Sequence, residues 1–78
     1  MVPTLRPIGA FRIYFDSHEP NEPRHVHIDR GDATIKIWLE SLNVARNRGF
    51  RACEIKGVVE MVRANRDSFL EAWHGCFG

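Results

Sequence analysis

Residues 25–40 read HVHIDRGDATIKIWLE and contain the most regular pattern in the chain. Apolar and polar residues alternate in both of its halves, HVHIDR and ATIKIWLE, with the period of a half-buried β-strand. Gly31 and Asp32 lie between the halves and suit a two-residue hairpin turn. The stretch therefore predicts an antiparallel hairpin.

A two-residue turn also fixes the register of this hairpin. It places Val26 opposite Ile37 and Ile28 opposite Ile35, so apolar residues meet on one face of the sheet. A slip of one residue would move Val26 and Ile28 to the polar face. The predicted pairs are Arg30 with Ala33, Asp29 with Thr34, Ile28 with Ile35, His27 with Lys36, Val26 with Ile37 and His25 with Trp38.

A third alternating segment, FRIYFD at residues 11–16, adds a strand to this hairpin. The sequence thus predicts an antiparallel sheet of about three strands over residues 11–40, after an irregular arm at residues 1–10. The predicted apolar face carries Phe11, Ile13, Phe15, Val26, Ile28, Ile35, Ile37 and Leu39. The opposite face is expected to be exposed and carries Arg12, Tyr14, Asp16, His25, His27, Asp29, Lys36, Trp38 and Glu40.

Residues 52–77 predict the helix that covers the apolar face, which makes the 78-residue chain a single α+β domain. The apolar residues of this segment recur three or four positions apart, in the stripe Ile55, Val58, Val59, Val62, Phe69, Ala72, Trp73 and Phe77. The helix either breaks near residues 64–67 or overhangs the sheet, in which case a dimer or another partner must cover its end. Gly57 is expected to permit a close approach of helix and sheet. The intervening residues 41–51 are compatible with a short strand or a helical turn.

Composition excludes several functional classes. The formal net charge of +1 gives no global field that would attract nucleic acid or a membrane. No segment approaches the roughly 20 apolar residues of a membrane span, and the N-terminal residues do not resemble a signal peptide. We therefore expect a cytoplasmic protein that does not bind membranes. Cys53 and Cys76 are expected to be reduced and partly buried.

Several motifs together resemble the bacterial domain of unknown function 4160 family. They are EPRHVHI at residues 22–28, KIWLE at residues 36–40, ARNRGF at residues 45–50, NR at residues 65–66 and LEAW at residues 70–73. Arg24 departs from the family pattern, which often has a second proline there, and Arg51 replaces the usual serine before the helix. The resemblance implies a component of a toxin–antitoxin pair without an established biochemical activity. It also implies an antitoxin-like small protein as partner, with a homodimer as the alternative.

The two histidines of the HVH motif suggest acid–base chemistry on RNA. On one strand their side chains point to the same side, roughly 6–7 Å apart. Two imidazoles can supply an acid and a base near neutral pH, and a neighbouring lysine can stabilise charge on a phosphate. His25, His27 and Lys36 are therefore the candidate catalytic residues of a histidine-dependent ribonuclease, with Tyr14 and Trp38 as surfaces on which bases could stack.

Two other interpretations of the same face stay open. His18, His25 and His27 could hold zinc or another divalent metal, with Glu22 or Asp29 completing the site. Without such a metal, no cofactor is expected. The last interpretation is a binding surface for a partner protein, formed by Tyr14, Trp38 and Arg24, because interfaces favour tryptophan, tyrosine and arginine.

A second candidate site is the basic cluster Arg46, Arg48 and Arg51. It precedes the predicted helix, whose N-terminal N–H groups and dipole favour anions. A phosphate or a nucleic-acid backbone could bind there. The alternative is a solvated loop that happens to contain arginines. Phe50, within the same segment, is expected to belong to the core.

Overall fold

The computed structural model describes residues 5–15 and 22–77. Its elements, in chain order, are β1 Arg12–Tyr14, β2 His25–Arg30, β3 Ala33–Trp38, β4 Val44–Arg48, α1 Ala52–Ala64 and α2 Arg66–Phe77. The strands form one antiparallel sheet in the order β1-β2-β3-β4. The predicted α+β class is confirmed, with a fourth strand beyond residue 40 and two helices in place of one.

The central hairpin of β2 and β3 has the predicted register. All six expected pairs are present, including Val26 opposite Ile37 and His27 opposite Lys36. Gly31 in the turn has a φ of 60°, a left-handed conformation that glycine adopts without steric cost. Alternation and turn chemistry were therefore sufficient to specify this part of the sheet.

The fourth strand, β4, forms one edge of the sheet. All five of its residues are exposed, so it contributes little to the core. Ile37 pairs with Val44 while the adjacent Lys36 pairs with Arg46, and Ala45 is the extra residue of a bulge. Residues 41–51 were compatible with a short strand or a helical turn, and Val44–Arg48 within them form the strand.

The apolar face of the sheet and the two helices enclose the core. Its buried members are Ile13, Phe15, Val26, Ile28, Ile35, Ile37, Leu39, Phe50, Val58, Val62, Phe69 and Trp73. Phe11, which was expected among them, is only half-buried. The role expected of Gly57 was wrong, because it is exposed and a Cβ added there would meet no atom within 4 Å.

The helical region breaks at Asn65, the first of the two predicted alternatives. Asn65 is the C-cap of α1, with a φ of −113° and a ψ of 14°, and its side-chain Nδ2 donates to the Met61 carbonyl across 2.8 Å. After the break, α2 packs Trp73 against Phe15 with ring centroids 5.3 Å apart. The overhang that would have required a dimer is therefore absent. Within the described part of the chain, no helix is long and apolar enough to cross a membrane.

The two cysteines both lie in the helices. Both are free thiols, as expected, but both are exposed rather than partly buried. Cys53 belongs to the first turn of α1, and Cys76 belongs to the last turn of α2.

Candidate functional site

A cleft of about 230 Å³ lies on the polar face of the sheet. Its lining comes from all four strands and comprises Tyr14, His27, Thr34, Ile35, Lys36 and Arg46. Four of these residues form a line across the sheet, because Tyr14 pairs with His27, His27 with Lys36, and Lys36 with Arg46. We call Tyr14, His27, Lys36 and Arg46 the cross-strand row. It runs from two aromatic rings to two cationic side chains.

The aromatic end of the row is held by stacking and hydrogen bonds. The Tyr14 and His27 rings lie 5.2 Å apart, between centroids, at an interplanar angle of 11°. The Tyr14 hydroxyl donates to Asp29 Oδ1 across 3.1 Å, and Arg12 Nη2 donates to Asp29 Oδ2 across 3.0 Å. Burial and the adjacent Asp29 charge raise the pKa of Tyr14, so the hydroxyl remains a donor.

Asp29 is the acidic residue that organises this end of the site. Burial by itself would raise the pKa of Asp29, but hydrogen bonds from Thr34 and Arg12 oppose that effect. The hydrogen bond from Tyr14 acts in the same direction, and the pKa of Asp29 lies below its ordinary value of 3.8. Asp29 is therefore a carboxylate at neutral pH.

Lys36 is buried, contrary to the exposed position expected on the polar face. Only 5% of the residue is accessible. Its ammonium donates to a carboxylate oxygen of Glu22 and lies 5.0 Å from the centroid of the Trp38 ring. A buried ammonium is tolerated when it is paired with an opposite charge, and Glu22 supplies that charge.

His25 is also buried rather than exposed. No part of it is accessible, and its ring lies 5.2 Å from Trp73 and 5.7 Å from Trp38 between centroids. His27 lies beside it with ring centroids 5.2 Å apart. The two histidines therefore differ, since only His27 lines the cleft.

A family model described as "Domain of unknown function (DUF4160)" matches residues 10–74. The chain belongs to this family. The match covers all four strands, all of α1 and most of α2, and it confirms the resemblance seen in the motifs. No curated protein and no solved structure matches the chain.

In this DUF4160 chain the predicted arginine cluster is divided between two elements. Arg46 and Arg48 belong to β4, and they pair with Lys36 and Thr34, which places both on the cleft side of the sheet. Arg51 is instead the residue that precedes α1. Only Arg46 lines the cleft.

The N-terminus of α1 already has a carboxylate of the chain beside it. Glu54 accepts a hydrogen bond from the Arg51 backbone N–H across 2.9 Å. Glu54 also forms an ion pair with Arg30, whose guanidinium lies 5.3 Å from the centroid of the Phe50 ring. Glu54 thus supplies the negative charge that this helix end favours.

Arg24, one of the three residues of the predicted binding surface with Tyr14 and Trp38, has partners of its own in the chain. Arg24 donates to Glu40 and, from Nη1, to His74 Nε2 across 3.2 Å, so it joins the sheet to α2. The Arg24 hydrogen bond also lowers the pKa of Glu40. Trp38 is half-buried against His25 and Lys36.

The predicted metal site cannot be assembled from the part of the chain that the structure describes. Residues 5–15 and 22–77 contain no group of three His, Cys, Asp or Glu side chains placed to hold a metal ion. His18, the third predicted ligand, lies outside the described residues.

Sequence reasoning missed two features of the DUF4160 site. It did not pair Glu22 with Lys36, because no sequence signal joins a loop carboxylate to one particular strand lysine. It also overlooked Thr34, although the predicted register already placed this residue on the polar face beside Lys36. Had β4 been recognised, its alternation would have placed Arg46 and Arg48 on the same face.

Proposed function

We propose that this chain is a cytoplasmic component of a bacterial toxin–antitoxin pair that binds single-stranded RNA along the polar face of its sheet. The toxin–antitoxin role rests on the family resemblance. The RNA-binding role rests on the cross-strand row, which places two aromatic rings and two cations in one cleft. Single-stranded RNA is bound by this combination, since bases stack on aromatic rings and phosphates meet lysine and arginine.

The charge distribution around the cleft supports this proposal. Arg46 and Arg48 are exposed side chains on the cleft side of β4, and Arg12 lies on the same face at the opposite edge strand. Among the described residues, no carboxylate forms an ion pair with Arg46 or Arg48. The small net charge of the whole chain is therefore compatible with a local basic patch that attracts phosphates.

A histidine-dependent ribonuclease stays a prediction. Its mechanism would require both imidazoles to reach the substrate, whereas His25 is fully buried and His27 lines the cleft. Binding requires only groups that line the cleft, as Tyr14, Lys36 and Arg46 do. We therefore propose RNA binding as the function. Whether the protein also cleaves RNA is a separate question, which is tested by following the integrity of the RNA.

The experiment that tests RNA binding compares the wild type with Arg46→Ala. We expect a fluorescein-labelled oligouridine to bind the wild type, with an affinity that falls as KCl rises. Loss of one phosphate contact should weaken binding severalfold and reduce the slope of log K against log salt by about 0.7. Fluorescence anisotropy over a salt series measures both quantities.

Arg63→Ala is the matched control, because it removes the same charge from the exposed surface of α1. It should leave both affinity and slope unchanged. Equal losses for the two variants would indicate non-specific attraction, and no binding by the wild type would refute the proposal. An oligodeoxythymidine of the same length separates a requirement for the 2′-hydroxyl from simple phosphate binding.

A protein partner is the second candidate, and an apolar groove favours it. The groove of about 490 Å³ lies between the N-terminal arm and α2, and it is lined by Leu5, Arg6, Ile8, Phe15, Asn65, Ser68, Phe69, Ala72 and Cys76. Such a groove suits an apolar segment of an antitoxin-like small protein or of a second copy of the chain. Light scattering over a range of concentrations distinguishes them, because only a homodimer gives a mass that rises with concentration without another protein.

A further inference from the structure

The ion pair between Lys36 and Glu22 is strongly asymmetric. The Lys36 side chain is 6% exposed, whereas the Glu22 side chain is 41% exposed. Lys36 is fixed within the central strand β3, while Glu22 precedes β2. The carboxylate therefore reaches a buried ammonium from the solvent side.

The other groups around Lys36 make its position suitable for a phosphate. Arg46 lies directly opposite Lys36 across the β3–β4 pairing, so two cations are neighbours on one face. Both line the cleft, together with the stacked rings of Tyr14 and His27. A phosphate at this position would meet a buried lysine, an exposed arginine and an aromatic surface.

We propose that the Glu22 carboxylate occupies the position of an RNA phosphate on Lys36, and that bound RNA displaces it. This inference rests on the proposed RNA-binding function and identifies the point at which the phosphate binds. Glu22 acts as an intramolecular competitor, which weakens the binding of RNA until a phosphate replaces the carboxylate.

The chemistry of the two anions makes the exchange possible. A phosphodiester carries one negative charge on two non-bridging oxygens, as a carboxylate does, so Lys36 keeps an equivalent partner after the exchange. Without any partner, the buried ammonium would be costly. The phosphate gains the adjacent Arg46 as well, whereas Glu22 returns to water from a position that is already partly exposed.

The experiment compares RNA binding by the wild type and Glu22→Gln. The substitution keeps the size of the side chain but removes the charge that competes with phosphate. We expect binding of the labelled oligouridine to tighten at least threefold in low salt. The slope of log K against log salt should stay that of the wild type, because Lys36 neutralises the same phosphate in both complexes.

Glu60→Gln is the matched control for the change in net charge. Glu60 is exposed on α1 and lies 3.7 Å from Arg63, in the helical layer rather than on the cleft. This variant should bind RNA as the wild type does. A gain in both variants would assign the effect to net charge and would overturn the displacement.

Lys36→Met provides the second test, because it removes the cation for which the two anions compete. The gain caused by Glu22→Gln should disappear in the Lys36→Met background, while thermal melting confirms that both proteins fold. A purely structural ion pair predicts a different result, in which Glu22→Gln lowers the melting temperature without tightening RNA binding.

The outcomes also separate this inference from the proposed function. If the wild type binds RNA through Arg46 and Glu22→Gln does not bind it more tightly, only the displacement is refuted. If neither the wild type nor Glu22→Gln binds oligouridine, RNA binding and displacement are refuted together. Binding by Glu22→Gln alone would refute both for the wild-type chain, because RNA would then fail to displace Glu22 from Lys36.

Discussion

The His25 imidazole lies with Nδ1 2.8 Å from the carbonyl oxygen of Pro23. A carbonyl oxygen can only accept, so Nδ1 carries the proton and donates it. The hydrogen bond joins the first residue of β2 to the segment before it, while Trp38 and Trp73 enclose the ring. The first histidine of the HVH motif thus connects the sheet with α2.

This position predicts that His25→Ala destabilises the fold. The substitution leaves a cavity in a fully buried site and removes the partner of the Pro23 carbonyl. We expect the free energy of unfolding to fall by about 2–4 kcal/mol. Urea denaturation measures the loss, and Glu71→Ala, on the exposed side of α2, should change stability by no more than about 0.5 kcal/mol. Similar small effects for both variants would contradict the structural role.

Asp29 predicts a component of stability that is lost in acid. Its pKa is lower in the folded chain than the ordinary value of 3.8, so the unfolded chain binds more protons between these two values. The contribution is therefore present above the ordinary value and disappears as pH falls through the folded value. We expect the melting temperature of Asp29→Asn to depend less on pH in this range than that of the wild type.

The control for this pH dependence is Asp32→Asn, which removes an aspartate from the exposed β2–β3 turn. Its melting temperature should follow the acid dependence of the wild type. Parallel curves for wild type and Asp29→Asn would show that the hydrogen bonds around Asp29 do not stabilise its carboxylate.

Two glycines should respond to alanine in opposite directions. Gly57 lies inside α1 with open space where a Cβ would project, so Gly57→Ala should stabilise the protein by up to about 1 kcal/mol. Gly49 has a φ of 98°, and a Cβ there would lie 3.2 Å from the Cα of Ala33. Gly49→Ala should therefore destabilise by more than about 1 kcal/mol. Chemical denaturation measures both, and a gain for Gly49→Ala would contradict the conformation of this turn.

A toxic activity that depends on the cleft should be visible in bacterial growth. Induced expression of the wild type is expected to arrest growth, and His27→Ala should relieve the arrest, because His27 lines the cleft while His25 does not. His74→Ala is the matched control and should arrest growth as the wild type does. Soluble protein levels must be equal for the comparison. If neither the wild type nor either variant arrests growth, the partner-binding function is favoured instead.

The sequence was sufficient to predict the β2–β3 hairpin because two independent signals agreed there. Val26, Ile28, Ile35 and Ile37 alternate with polar residues, and Gly31 permits the turn. The strand β4 lacked such a signal, since all five residues of VARNR are exposed and leave no apolar period to detect. An edge strand is stabilised by pairing with a neighbouring strand, and the hydrophobic pattern of its own residues does not predict that pairing.

In the candidate site, too, features set by neighbouring residues in the sequence were predicted, and features set by contacts with other segments were not. Alternation correctly placed Tyr14, His27 and Lys36 on one face, because side-chain direction follows from the register. It could not predict the burial of Lys36 or of His25, since Glu22 and Trp73 come from other segments. The break at Asn65 was also undecided, because the surrounding polar residues are compatible with a continuous helix.

The order β1-β2-β3-β4 has a consequence for how quickly the sheet can assemble. Each strand pairs with its neighbour in the sequence, and the β2–β3 turn closes over two residues only. Chain segments that are close in sequence meet with a small entropic cost, so the hairpin can form first and recruit the outer strands one by one. We therefore expect rapid folding kinetics, with α1 and α2 docking onto a sheet whose strand order requires no crossing of distant segments.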